Sequence, residues 1–247
     1  ARAAGLRESK RWQGDMLADV GDQACDGYLQ GLILGRYPDD GLLSEETADS
    51  PARLSKDRTW IVDPLDGTRE YSELRPDWAI HVALSIGGKC ALGAVALPTQ
   101  QRLFWAVCLP GQERAGLDGD GAPRRGDSRP NAPLRVAVSR SHTPEWTTRF
   151  IEMIGGLPAP AGSVGHKVSM LFSGEADLYV HKKGLKEWDT CAPEVIARAL
   201  GWTVCTLRGE EHRYNQRDPK NHELVVCRPA AKEQVLATLA ASGALDA

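Results

Sequence analysis

The stretch Trp60-Ile61-Val62-Asp63-Pro64-Leu65-Asp66-Gly67-Thr68-Arg69-Glu70-Tyr71 constrains this chain more than any other. It opens as an apolar, β-branched run stopped by a proline, the pattern of a buried strand end. Pro64 fixes φ near about −65° and gives up its N–H. With the chain turning there, Asp63 and Asp66 can point into one pocket, and the Leu65 carbonyl can turn into it too. Carboxylates with a backbone carbonyl suit a hard cation such as Mg²⁺. Gly67 and Thr68 can open a helix, whose free N–H groups favour a phosphate. Asp-Gly is equally a common turn dipeptide, so taken alone the segment also fits a plain surface turn.

The 247 residues are 42% hydrophobic and 26% charged, which leaves room for one large α/β domain or two closely joined halves. A net charge of −3 gives no general attraction to nucleic acid polymers or anionic membranes, so an anionic small substrate needs local cations. No run approaches the ~18 apolar residues of a membrane helix. Ala1 to Lys10 lacks the apolar core of a signal peptide. Six cysteines are scattered with no Cys-x-x-Cys pair. They read as small buried hydrophobes of a cytoplasmic protein, not as zinc ligands or a disulfide frame.

Apolar side chains at helical spacing predict a helix over about Asp22–Leu34, with Asp22 near its start and Gly35 and Pro38 closing it. Leu42 to Glu46 reads as a short strand ending in two acids, Glu45 and Glu46, which a solvated turn would also explain. Ser50 to Thr59 is a polar connector. Three strands follow, Trp78–Ile86, Ala91–Leu97 and Arg102–Val107, the first two joined by a Gly87-Gly88-Lys89 hairpin. His81 within the first reads as a paired core histidine and not a metal ligand. Gly111 to Pro133, rich in Gly, Pro, Arg and Asp, predicts a long exposed loop with Arg124 and Arg125 in solvent.

Leu134–Val138 predicts a strand ending in Ser139-Arg140-Ser141-His142. Thr143 then caps a helix that starts at Pro144 and runs to about Ile154. Gly162-Ser163-Val164-Gly165-His166-Lys167 opens another helix through Phe172, where small residues and a base form a second anion seat or a simple cap. Ala176–His181 is a strand, and Lys186 to Pro193 leads into a helix through Leu200, with Asp189 able to cap it. Trp202–Leu207 and Glu223–Cys227 complete the strands, and Pro229–Leu239 makes a final amphipathic helix. There is no internal repeat and no sharp break in composition.

Acids thus stand at element ends: Asp22, Glu45, the Asp63/Asp66 pair and Asp189. This order resembles the inositol monophosphatase superfamily, which includes fructose-1,6-bisphosphatase. Its Glu-Glu pair matches Glu45-Glu46, its Asp-Pro-Ile/Leu-Asp-Gly-Thr signature matches Asp63 to Thr68, and its late Trp-Asp matches Trp188-Asp189. Arg69-Glu70-Tyr71, Ser139-Arg140-Ser141-His142, and Gly162-Ser163 with Lys167 resemble the CysQ branch, the 3'(2'),5'-bisphosphate nucleotidases. Two departures stand out. Gly14 to Asp22 replaces the usual polar run before the first acid, and the long N-terminal helix the family carries there is largely missing.

The resemblance implies a layered α-β-α-β-α sandwich, in one domain with halves at about 1–133 and 134–247. It implies a lithium-sensitive, Mg²⁺-dependent hydrolysis of the 3'-phosphate of 3'-phosphoadenosine 5'-phosphate, in sulfur assimilation. Glu45, Asp63, Asp66, Asp189 and the Leu65 carbonyl would hold two or three Mg²⁺ ions. Asp22 and Thr68 would orient the attacking water, and Glu45 would reach a third ion through water. Gly67 and Thr68 would steady the phosphoryl group. Ser139, Arg140, His142, Ser163, His166 and Lys167 would shape the nucleotide side, with Lys167 or Arg140 on the 5'-phosphate. A homodimer is the family habit. The alternatives are an inositol-1-phosphatase or fructose-1,6-bisphosphatase of the same superfamily, and a non-catalytic metal- or nucleotide-binding regulator. A role on nucleic acid has no basic stripe behind it.

Overall fold

A computed structural model describes residues 2–9 and 11–246; the ends of the Ala1–Lys10 segment fall outside the described residues. Two sheets carry the molecule. The first holds six strands in chain order: β1 (Gly41–Ser44), β2 (Arg58–Asp66), β3 (Ala79–Ile86), β4 (Lys89–Leu97), β5 (Arg102–Leu109) and β6 (Gln112–Asp118). Only β1 and β2 run parallel; the rest form an antiparallel meander. The second is mixed, ordered β10 (Thr203–Cys205), β11 (Leu224–Cys227), β9 (Leu178–His181), β7 (Leu134–Ser139), β8 (Gly156–Ala161).

Helices fill the spaces that the two-sided strands require. On the outer face of the first sheet lie α1 (Arg2–Glu8) and α2 (Gly14–Arg36), where Leu29 and Ile33 pack on Trp60, Val62 and Leu84. Between the sheets run α5 (Val164–Ser173) and α6 (Glu187–Ala199). They bury Val168, Leu171, Val195 and Ile196 against Ile61, Ala83 and Phe104 on one side and Tyr179, Val204 and Val226 on the other. On the far face α4 (Glu145–Met153) and α7 (Lys232–Ala241) cover Val136, Val138, Leu178 and Val225. The order of layers is α-β-α-β-α. Alternation in the strands dictates it, because successive residues such as Leu178, Tyr179 and Val180 enter opposite apolar cores.

Several elements differ from the sequence expectation. Helix α2 starts at Gly14 and places Asp22 in its third turn, not near its start. Gly14 and Gly21 lower the intrinsic preference there, but packing on the single-turn helix α3 (Thr68–Ser72) overrides it. The predicted loop 111–133 contains the edge strand β6, whose side chains are mostly open to solvent and show no apolar alternation. Arg124 is not solvated: its guanidinium pairs with Asp177 at 3.1 Å and bonds the Ala176 carbonyl at 3.2 Å. Strand β8 was hidden by two prolines, which an edge position tolerates. Thr143 does not cap α4; its hydroxyl donates to the Ser139 carbonyl at 3.0 Å, and the helix begins at Glu145.

Candidate active site

Strand β2 ends against β3 with a break in register between Asp63 and Asp66. Pro64 and Leu65 fall in that break, so Leu65 leaves the ladder. Asp63 Oδ1 accepts the Leu65 N–H at 3.0 Å, and the Leu65 carbonyl accepts the Thr68 hydroxyl at 3.3 Å. Gly67 follows at φ +92°, a left-handed conformation that glycine takes at little cost. A Cβ there would also stand 2.9 Å from the Ser163 Cβ, so the turn is packed as well as strained.

The same turn presents Asp66 to α5. Asp66 accepts the N–H of Val164 at 3.1 Å and of Gly165 at 2.5 Å, both at the helix start. The Nε2 of His81 lies 3.1 Å from Asp66 Oδ2, too oblique for a straight hydrogen bond, while its Nδ1 meets the Trp188 carbonyl at 3.0 Å. His81 is thus a fully buried histidine set against an acid. Asp189 is the third residue of α6 and not its cap; its Oδ2 accepts the Lys186 N–H at 2.7 Å. Among the described residues Asp63, Asp66 and Asp189 each offer a carboxylate oxygen, all within 4.8 Å of one another. Glu45, one residue past β1, is close enough to the cluster to feel the charges of Asp66 and Glu46. Asp22 comes up from α2, buried, with Oδ1 lacking any partner.

Such crowding is electrostatically costly. Two carboxylates 4 Å apart repel by about 4 kcal/mol at an effective dielectric near 20. The site responds by protonation. Burial, then the nearby acids, pushes Asp22 up to about 8; desolvation toward the cluster, then the charges of Asp66 and Glu46, raises Glu45 to about 7 although the residue is exposed at the surface; burial and Asp66 raise Asp189 to about 7. Asp63 also rises well above the ordinary range, through burial and then Asp66. Asp66 alone is lowered: burial acts against it, but His81 and the two α5 N–H groups outweigh that. One ionised carboxylate among protonated ones, with an orphaned Asp22 oxygen, is a donor set that a divalent cation fits.

These shifts predict the behaviour of the metal-free protein. In the unfolded chain the same carboxyls titrate near about 4. The folded state therefore binds more protons between about pH 4 and 8, and that stability is lost as the pH rises through the folded values. Asp66 has the opposite sign, but its contribution disappears only below about pH 4. Chelated protein should lose on the order of 5 °C in Tm between about pH 5.5 and 8. Mg²⁺ should raise Tm more at the higher pH. A chelated sample with a flat or rising Tm across that window would refute the account.

The remaining sequence candidates sort by contact. Ser163 caps α5, accepting the His166 N–H at 3.1 Å. Lys167 is buried with its Nζ over the Tyr179 ring at 5.3 Å; burial lowers its pKa against the opposing charges of Asp66, Glu70, Asp189 and Asp77. His166 faces Gln100, at 3.3 Å. The Arg140 guanidinium is taken by Asp77 at 2.6 Å, and Asp77 also accepts the Gly162 N–H at 2.6 Å. Ser139 and the exposed His142 stand at the end of β7. Thr68 is exposed at the mouth of the acid cluster.

Sequence reasoning missed the struts. Asp77 joins Arg140 to the α5 turn. Buried Arg53 holds Asp49 through Nε at 2.6 Å and bonds Asn215 and the Gln216 carbonyl at 2.7 and 2.9 Å. Buried Glu187 accepts the N–H groups of Asn215 and Gln216 at 2.6 and 2.8 Å. Together these tie the loop after Glu45 to the start of α6. Only a buried, fully engaged position reveals them, and an isolated Arg or Glu in sequence gives no such signal.

Residues 4–244 match the model of the inositol monophosphatase family. The chain belongs to that family. It is 35% identical over 232 residues to a 3'-phosphoadenosine 5'-phosphate phosphatase of Mycobacterium bovis, covering 91% of this chain and 82% of that one. It is 32% identical to the 3'(2'),5'-bisphosphate nucleotidase CysQ of Salmonella typhimurium, covering 85% of each. Within the family, the likeness lies with the bisphosphate nucleotidase branch. The crystal structure of CysQ from Bacteroides thetaiotaomicron superposes with a TM-score of 0.75 at 24% identity, over 92% of this chain and 91% of that one. That agreement bears on the fold alone, and it matches the five-layer order. Among the described residues no helix is long and apolar enough to cross a membrane.

Proposed function

We propose that this chain is a Mg²⁺-dependent phosphomonoesterase that removes the 3'-phosphate of 3'-phosphoadenosine 5'-phosphate. The observation that carries the reading is the meeting of Asp63, Asp66 and Asp189 at one strand end, in a chain whose curated relatives at 35% and 32% identity are phosphatases of such nucleotides. We assign Glu45 and the Leu65 carbonyl to the same ligand set, for two or three ions. When bound, the cations supply positive charge for the phosphoryl oxygens and the departing 3'-oxygen.

The chain's own groups do the rest. Asp22, with its unpartnered oxygen, and the Thr68 hydroxyl hold and orient the attacking water. The N–H groups of Gly67 and Thr68 receive the phosphoryl oxygens as charge moves in line through phosphorus. Lys167 adds a buried positive charge beside the acids, and Ser139, His142, Ser163 and His166 shape the nucleotide side. Asp77 turns Arg140 into a support for that wall. Six free cysteines, four of them buried, suit a reducing compartment such as the cytosol. A homodimer is the assembly we assign.

The test is phosphate release with Mg²⁺ from 3'-phosphoadenosine 5'-phosphate, inositol 1-phosphate and fructose 1,6-bisphosphate. The nucleotide should have a kcat/KM at least about tenfold above either alternative. Preference for a sugar or inositol phosphate would overturn the substrate and keep the chemistry. No turnover on any of them, with tight nucleotide binding, would favour a regulator.

A further inference from the structure

Asp22, Glu45 and the Asp63/Asp66 pair come from three separate pieces of chain: α2, the turn after β1, and the turn after β2. A metal site tolerates little play among its acids, so the three pieces must be held in register. The turn after β1 is tied to β2 by the Glu45 N–H, which donates at 3.2 Å to the carbonyl of Val62, the residue before Asp63. Helix α2 is tied to the turn after β2 by close packing. A Cβ on Gly21 would lie 2.7 Å from the Tyr71 ring and 3.0 Å from the Leu65 side chain, so helix and turn touch without a gap. The third tie, from α2 to the turn after β1, runs through one buried carboxylate.

That carboxylate is Asp26, only 8% exposed. It follows Asp22 by four residues in α2 and so lies on the same face, one turn along. Its Oδ1 accepts the Ser44 hydroxyl at 2.6 Å, and its Oδ2 accepts the Thr47 hydroxyl at 2.9 Å. Ser44 and Thr47 flank Glu45-Glu46, so a single side chain grips the acidic pair from both ends. Oδ2 also accepts the Gln30 amide at 2.5 Å, and that amide bonds the Thr47 hydroxyl as well. Gln30 stands a further turn along α2. Two successive turns of the helix thus hold the same loop.

Resting on the function just proposed, we propose that Asp26 is a positioning residue of the phosphatase centre, which sets Glu45 against Asp22 and so shapes the cation site without being a ligand. Both of its oxygens are occupied by hydroxyl and amide donors. Two features separate this role from ordinary packing. The first is the choice of an acid. Asp77, Asp177 and Glu194 are buried too, and each pairs with an arginine. Among the described residues the donors to Asp26 are all neutral. A buried carboxylate without a counter-charge is expensive, and this one adds, after burial, to the upward shift of both Asp22 and Glu46. What it supplies in return is two oxygens for three converging donors. The second feature is leverage. Ser44 ends β1 and Glu45 follows it directly, so the tie acts one residue from the acid it places.

The test is calorimetric titration with Mg²⁺ alone, which reads the site before any turnover. Asp26→Ala should weaken Mg²⁺ affinity about tenfold relative to wild type. It should also shrink the rise in Tm that Mg²⁺ gives, while KM for 3'-phosphoadenosine 5'-phosphate at saturating Mg²⁺ stays within about twofold. A purely structural role would lower Tm equally with and without Mg²⁺ and leave the affinity unchanged. Asp26→Asn should recover most of the loss: its oxygen can accept two donors, and its amide can meet the Ser44 hydroxyl, which accepts as well as donates. Thr47→Val, at an exposed position, removes one tie without opening a cavity. It should weaken Mg²⁺ binding about threefold, the worth of one hydrogen bond, and it carries the test if Asp26→Ala does not fold. Wild-type affinity in folded Asp26→Ala, or in Thr47→Val, would overturn the proposal and leave the phosphatase reading standing. So would an asparagine variant no better than alanine, because charge and not placement would then be at work. A wild type that binds no Mg²⁺ and releases no phosphate would overturn the phosphatase reading, and this inference with it.

Discussion

Asp66→Asn should lower kcat/KM for phosphate release by at least about 1,000-fold, more than any other single change considered. The substitution keeps size and alters everything else. Asp66 is the one acid of the cluster whose pKa is lowered, so it is the negative charge on which a cation would first settle. It also accepts two backbone N–H groups, from Val164 and Gly165, and has the His81 imidazole 3.1 Å away on the other side. An asparagine has one acceptor oxygen, and its amide nitrogen must then face a backbone N–H or the ring. Leaving such a buried donor unmatched costs about 1–3 kcal/mol. The variant should therefore lose both Mg²⁺ affinity by calorimetry and a few degrees of Tm, while circular dichroism keeps the native helix and strand signal. Activity within about tenfold of wild type would remove Asp66 from the metal set.

The sequence carried the local half of this site and little of the rest. Asp63 to Thr68 could be read because a strand end, a proline and a glycine act within a few residues of one another. Glu45 and Asp189 stand at a strand end and a helix start, where a solvated turn and a cap explain them equally well, and only the resemblance to the family assigns them to a metal. The partners of Asp66 could not, since Val164 and Gly165 lie nearly a hundred residues away and contribute only backbone N–H groups. Arg124 looked solvated in a Gly- and Pro-rich run, yet a buried Asp177 captures it. Strand β6 has a polar, exposed edge and so lacks the alternation that reveals a half-buried strand. Helix α2 begins early because tertiary packing outweighs two glycines, and that extension is what buries Asp22.

Gly165→Ala is the second large effect, and it tests the geometry without touching a carboxylate. A Cβ on Gly165 would lie 2.1 Å from His81 Nε2 and 2.9 Å from the Ala79 Cβ, so something must move. His81 is fully buried and held at Nδ1 by the Trp188 carbonyl. Swinging it aside breaks that tie and the Asp66 contact together. The alternative, withdrawal of α5, pulls the Val164 and Gly165 N–H groups from Asp66. Either way the turn that fixes Asp66 is disturbed, and interiors resist such insertion at a cost of about 1–3 kcal/mol. We expect Tm to fall by roughly 5 °C and kcat/KM by about 100-fold, since displacements of about 1 Å have that effect. The His81→Ala background makes the prediction specific. Removing the ring opens the space, so Gly165→Ala should cost clearly less there than in wild type, by about 1 kcal/mol or more. Equal costs in the two backgrounds would mean that the clash is relieved elsewhere, and that His81 and α5 do not brace Asp66 from opposite sides.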